Sequence, residues 1–253
     1  MPDFPACSNL CKNVASVIIG EKYINLLEAP LNKLSIDVFL LPDNPLVDRR
    51  LSGHADLSVF YSGYDTIFLA PYLRETLFAE MIENLGLKIE FLDIIQSAKY
   101  PNDAQMNICT GPDYLIYNPS VSSAHLINYL TNIYKTAIPV RQGYVKCCTC
   151  VTGERSIITS DNGIAKACFK HGFDVLQIEN GGIELEGFDY GFIGGSSFMI
   201  KPGKIAFTGN LDMHPDKKII FDYLEKQQIE PVFLTSQPIF DIGSFIPLTE
   251  KQP

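Results

Sequence analysis

Three groups of residues in this chain have the types and spacing from which chemistry can be built. The first is a histidine and an acid two positions apart, His54 and Asp56, directly ahead of the apolar run LSVF. An imidazole beside a carboxylate can move protons or help hold a ligand. The plainer alternative is structural, with Asp56 accepting backbone N–H groups at the start of a strand. The second group is Cys147-Cys148-Thr149-Cys150. Read as a strand, it puts Cys148 and Cys150 on one face and Cys147 on the other. Three small thiols packed in a buried strand are the simple explanation. Zinc needs about four ligands, and no CxxC or HxxxH partner accompanies the cluster, so no metal is expected there.

The third group is the stretch 180–200, NGGIELEGFDYGFIGGSSFMI, with six glycines threaded by Asn180, Glu184, Glu186, Asp189, Ser196 and Ser197. Such density of glycine suggests left-handed dihedrals or close backbone approach. Its spacing fails GxGxxG and no Gly-Lys-Ser/Thr follows, so a nucleotide cradle is unsupported and no cofactor is expected. Asp161-Asn162 reads as a helix cap without calcium-loop spacing. Asp212 and Asp216 read as caps of a later helix, with a site role as the alternative. His125 and His171 are expected at the surface.

Composition narrows the partners. The chain has 253 residues, 46% hydrophobic and 19% charged, with net charge −9 and no basic run. Nucleic acid and anionic membranes are therefore poor partners, and a small cationic ligand is favoured. No apolar run approaches the roughly 18 residues of a membrane span. The N-terminal MPDFPACSNLCKN lacks the features of a signal peptide, and seven cysteines is an odd count without disulfide-like density. A reducing cytoplasm is the expected location.

The elements that must position these residues repeat. Residues 54–62 alternate as a strand, 63–65 turn, 66–70 form a second strand, and Pro71 opens a helix. Leu73, Leu77, Phe78, Met81, Ile82 and Leu85 share a helical face, Gly86 stops it, and KIEFLD is a third strand. The order strand, strand, helix, strand recurs over 54–93, 106–142, 143–179 and 194–236. In the second copy, Ser122 or Ser123 caps the helix. A fifth copy is divided between the ends, 237–253 plus 13–42, with 23–27 as its second strand and Val14–Gly20 unassigned. First strands align at Asp56, Asn107, Cys147, Ser196 and Ser244, at steps of 40 to 51 residues. A period of this size with split ends implies a closed α/β ring in one domain.

Five such units with a split fifth resemble the pentein fold of guanidino-group-modifying enzymes, a five-bladed α/β propeller found in agmatine and arginine deiminases, dimethylarginine hydrolase and amidinotransferases. The chain is closer still to a bacterial family known only by this fold. Three matches carry the resemblance. Gly53-His54-Ala55-Asp56 is similar to the motif supplying a catalytic histidine and a guanidinium-binding carboxylate. Asn180-Gly181-Gly182-Ile183-Glu184 resembles a Gly-Gly loop that brings in a second acid. Residues 243–249, GSFIPLT, resemble the terminal strand that carries the nucleophilic cysteine.

At that last position the chain has Pro247, and no cysteine follows Cys168. The resemblance therefore implies a ligand site at one end of the ring axis, using His54, Asp56, Asn180, Gly181, Gly182, Glu184, Asp189, Ser196 and Ser244, without the usual nucleophile. Three readings follow. One is a protein that binds a small guanidino or amidino cation without the standard chemistry. The second is a hydrolase or amidinotransferase using Cys147 as a displaced nucleophile. The third is a protein-interaction pentein. Oligomeric state is not set by the sequence.

Overall fold

The computed structural model describes residues 3–63 and 65–251. Its strands form five three-stranded sheets. The first joins both ends of the chain. β1 (Val14–Gly20) is followed by α1 (Ile24–Lys33) and β2 (Asp37–Leu41), and β15 (Ile246–Glu250) closes the sheet in the order β15-β1-β2. The second sheet holds β3 (Val59–Tyr61), β4 (Thr66–Leu69) and β5 (Lys88–Phe91), with α2 (Leu77–Asn84) before β5. The third holds β6 (Cys109–Thr110), β7 (Tyr114–Tyr117), α3 (Ala124–Ile133) and β8 (Thr136–Pro139).

A short helix, α4 (Val145–Cys148), leads into the fourth sheet of β9 (Cys150–Gly153), β10 (Ser156–Thr159) and β11 (Asp174–Gln177), with α5 (Asn162–Lys170) crossing over. The fifth holds β12 (Ser197–Lys201), β13 (Lys204–Phe207), α6 (Lys217–Lys226) and β14 (Glu230–Phe233). In every sheet the first and second strands pair antiparallel, and the helix crossover brings the third strand parallel to the second. This is the expected five-bladed ring, with the fifth blade shared by the two ends.

Burial follows the repeat. β3, β4 and β6 are wholly buried, whereas β5, β11 and β14 hold no buried residue. First and second strands thus carry the core. Fully buried Phe68, Phe207 and Phe245 each contribute about 1.5–3 kcal/mol by leaving water. Helix ends follow local chemistry. Thr76, Ser123 and Asp161 accept N–H bonds at the starts of α2, α3 and α5. Gly86 and Gly172 adopt positive φ just past α2 and α5.

Several local expectations are corrected. Val14–Gly20, unassigned from sequence, is the second strand of the shared blade, and 23–27 is helical. It pairs with β15 on one side and β2 on the other, so long-range pairing decides an apolar run that local pattern left open. Residues 54–62 do not run as one strand. Leu57 and Ser58 donate their N–H groups back to His54 and Ala55, giving a 3-10 turn ahead of β3. Cys147 and Cys148 lie in α4 rather than on a strand. The reason is remote in sequence: Asn107 Oδ1 accepts the N–H groups of Lys146 at 2.6 Å and Cys147 at 3.3 Å.

On α2, Phe78 and Ile82 are buried as expected, with Ala79 beside them, whereas Leu77 and Met81 are exposed. No side chain caps α6. Asp216 accepts the N–H of Glu179 and Asp212 pairs with Lys217. The turn expected at 63–65 includes Tyr64, which lies outside the described residues, as do Met1, Pro2, Gln252 and Pro253.

Candidate functional site

The positions just ahead of the first strands converge. Asp56 sits in the turn before β3, Cys147 in α4 before β9, and Ser244 two residues before β15. Asp56 Oδ2 accepts the Cys147 thiol at 2.8 Å and the Ser244 hydroxyl at 2.6 Å. Asn107, ahead of β6, donates to Cys147 Sγ at 3.4 Å. Ser244 holds its place with φ of 71°, a left-handed conformation uncommon for serine, and also donates to Gly194 O. All four polar residues are buried. The alignment of first strands in the sequence therefore marks a polar knot, to which each of these separate chain positions contributes.

Beside the knot lies the reactive cluster. His54, Cys147 and Asp241 each bring a donor atom within 4.8 Å of the others. Asp241 precedes β15, and its carboxylate accepts N–H bonds from Gly243 at 2.8 Å and Phe192 at 2.9 Å. Glycine is required around it. A Cβ on Gly195 would meet Asp241 Oδ1 at 2.0 Å, and one on Gly243 would meet His54 Cβ at 2.1 Å. Gly194 and Gly195 of the glycine-rich stretch thus let the α4 backbone and Asp241 pack closely, and Gly243, outside it, does the same for the turn at His54.

Burial sets the charge states. It pushes the His54 imidazole down to about 3, with the positive charge of Lys22 adding to the effect. It raises Asp56 to about 6, against the hydrogen bonds from Cys147 and Ser244 that favour the carboxylate. Asp241 is raised to about 7 by the same cause. The Cys147 thiol is pushed well up by burial, then by the negative charges of Asp56 and Asp241. His54 is thus a neutral imidazole and Cys147 a thiol at neutral pH. Among the described residues, His54 Nε2 and Asp56 Oδ1 have no hydrogen-bond partner, and neither buried aspartate forms an ion pair.

The cluster lines a cavity of about 270 Å³. Tyr144, Phe188, Tyr190 and Phe192 give it an aromatic wall, and Asp189 stands on the rim. Aromatic faces attract cations, and buried carboxylates orient them. A larger, more open cavity of about 690 Å³ shares Leu185, Phe188, Asp189 and Asp241 with the first and adds Glu184 and Glu186 opposite Lys22 and Arg50. Arg50 pins the intervening loop by donating to Gly187 O at 2.7 Å and lying over the Phe188 ring at 4.3 Å.

The sequence-selected residues divide cleanly. His54 and Cys147 line the inner cavity, and Asp56 and Ser244 lie in the knot behind. Asp189 reaches both cavities, while Gly182 and Glu184 reach only the outer one. Asn180 is exposed and lines neither, as does Gly181. Ser196 is turned away, its hydroxyl donating to Phe192 O at 2.7 Å. Asp241, Tyr144 and Phe192 were missed. Asp241-Ile242-Gly243-Ser244, an acid and a glycine before the last first strand, was the available signal.

A ring of five such blades with its polar site at the first-strand starts has the pentein fold. The inosamine-phosphate amidinotransferase of Streptomyces griseus superposes with a TM-score of 0.65 at 11% identity, over 100% of this chain and 98% of that one. A C. jejuni agmatine deiminase gives 0.56 at 10% identity, over 99% and 96%. DDAH from Pseudomonas aeruginosa gives 0.51 at 12%, over 88% and 93%. At these identities the likeness is one of fold. The chain belongs to the family of unknown function DUF6873, which matches residues 18–246. No curated protein matches its sequence.

Proposed function

We propose that the inner cavity binds a small guanidino or amidino cation, with Asp241 as the buried counter-charge and the aromatic wall stacked against the ligand. One observation carries the reading: a buried carboxylate that forms no ion pair among the described residues faces a cavity lined by Tyr144, Tyr190 and Phe192. A planar cation with paired N–H donors fits a carboxylate in that setting better than a compact ammonium does. Solved structures of the same fold include an amidinotransferase and an agmatine deiminase, which supports the ligand class.

A second reading, turnover, is favoured by the placement of Cys147 on the cavity with its thiol bonded to Asp56. Asp56 Oδ2 takes the thiol proton as sulfur attacks the central carbon of the cation. An S–C bond forms, the adduct collapses with cleavage of a C–N bond, and the proton passes back from Asp56 to the departing amine. The products are an S-linked amidino cation and a neutral amine, so charge and protons balance. Water or an acceptor amine then releases the carbon group.

Calorimetric titration with agmatine, arginine and guanidine tests the binding reading. One-site binding should weaken about 10- to 100-fold in Asp241→Asn, since a hydrogen bond to a charged group contributes about 1.5–3 kcal/mol. Saturable binding by none of these cations would end it. Turnover predicts release of ammonia, urea or a citrulline-type product that disappears in Cys147→Ser.

A further inference from the structure

We infer that His54, Cys147 and Asp241 form a binding site for one divalent transition-metal ion, best matched by zinc, with the cavity supplying an open coordination position. The inference goes beyond the cation reading and does not rest on it, because it concerns what the three donors bind in the absence of any organic ligand.

The donor set comes first. One imidazole nitrogen, one sulfur and one carboxylate oxygen lie within 4.8 Å of one another. Nitrogen and sulfur together select zinc, cobalt or copper over magnesium and calcium, which take oxygen. Three protein ligands with a fourth position left open is the arrangement of zinc sites that keep a place for water or substrate. All three donors border the 270 Å³ cavity, so that position is accessible. Metal bonds of about 2.0–2.3 Å require the three donors to draw closer together on binding.

The surroundings hold the donors as metal ligands are held elsewhere. His54 Nε2 is buried without a hydrogen-bond partner among the described residues, so with the ring proton on Nδ1 its lone pair is available. Gly243 packs directly on the His54 side chain and limits its movement. The Asp241 carboxylate is oriented by two backbone N–H groups. Asn107 braces Cys147 from both sides, accepting its backbone N–H and donating to its sulfur. When the metal takes the sulfur electron pair, the thiol proton leaves toward Asp56, already bonded to it at 2.8 Å. A dication would also neutralise the buried thiolate and the Asp241 carboxylate together. Sequence spacing gave no sign of such a site because its donors come from three distant positions, 54, 147 and 241.

The test uses the full chain, stripped with a chelator and given zinc or cobalt without organic ligand. One zinc per chain should survive gel filtration, and cobalt should produce sulfur-to-metal charge-transfer absorption that Cys147→Ser removes. Asn107→Ala, which keeps all three donor residues but removes the group that holds the α4 turn and the Cys147 sulfur, should weaken binding about 10- to 100-fold, the effect usual for groups that orient ligands. His54→Ala and Asp241→Asn should weaken it further. Should those variants misfold, the wild-type protein still decides the matter: zinc should slow alkylation of Cys147 and leave the other six cysteines unchanged. Substoichiometric zinc, retention unaltered in Cys147→Ser, or no protection of Cys147 would each overturn the inference.

Discussion

The two ends of the first strands are built from similar residues to opposite effect. Where the strands finish, the N-terminal segment lies across them and satisfies its polar groups. Ser8 donates to Pro247 O at 2.9 Å, Asn9 to Thr110 O at 2.8 Å, and Glu250 N to Asp3 O at 2.7 Å. A space of about 20 Å³ remains there. Where the strands begin, a cavity of about 270 Å³ stays open, and buried His54 Nε2 on its lining has no hydrogen-bond partner among the described residues. A buried imidazole nitrogen without a partner beside an open cavity is what a ligand site would leave in the free protein. Under the proposed cation reading, the closed end serves the fold and the open end the ligand.

Four experiments press on this contrast. The largest effect is expected from Gly243→Ala, which adds a Cβ 2.1 Å from His54 Cβ at a residue with φ of 69°. It should cost about 2–5 kcal/mol in denaturant unfolding, from strain and overpacking combined. Asp241→Asn comes next. Ligand binding falls as described above, and stability in thermal unfolding falls by about 1–3 kcal/mol, because the amide NH2 cannot accept the second of the two backbone N–H bonds that the carboxylate takes.

At the closed end the pattern differs. Asn9→Ala should lower stability by about 1 kcal/mol and leave ligand binding untouched, since it removes one bond to backbone. A loss of binding there would break the contrast. The smallest effect on the fold is expected from Arg50→Ala. It frees Gly187 O and the Phe188 ring, so amide exchange should rise over 185–190 without a change in melting temperature.

Much of this was legible in the sequence, and the limits have physical causes. The repeat of strand, strand, helix, strand survives because each unit carries its own alternation, caps and stops, as Asp161 and Gly172 illustrate. The pentein resemblance then pointed to His54 and Asp56, and the first-strand alignment put Asn107, Cys147 and Ser244 in register before any contact among them was visible. Where interactions between distant residues decide local form, sequence reading failed. Asn107 turns the Cys147 segment into a helix from 39 or 40 residues away. Val14–Gly20 is a strand through its pairing with β15, from the other end of the chain, and with β2. The glycine-rich stretch suggested a ligand-facing backbone, yet Gly195 is there to clear Asp241. Asp241 itself carried no motif, since its importance lies in burial beside Phe192 and Gly243.

The central claim is that the open end is a cation site with Asp241 at its floor. A crystal structure of the protein soaked with agmatine in chelator-treated buffer tests it most directly. The account predicts the guanidinium within hydrogen-bonding distance of Asp241, stacked on the aromatic wall, with its central carbon toward Cys147 Sγ. Agmatine seated elsewhere, or an empty cavity at saturating agmatine, would contradict it.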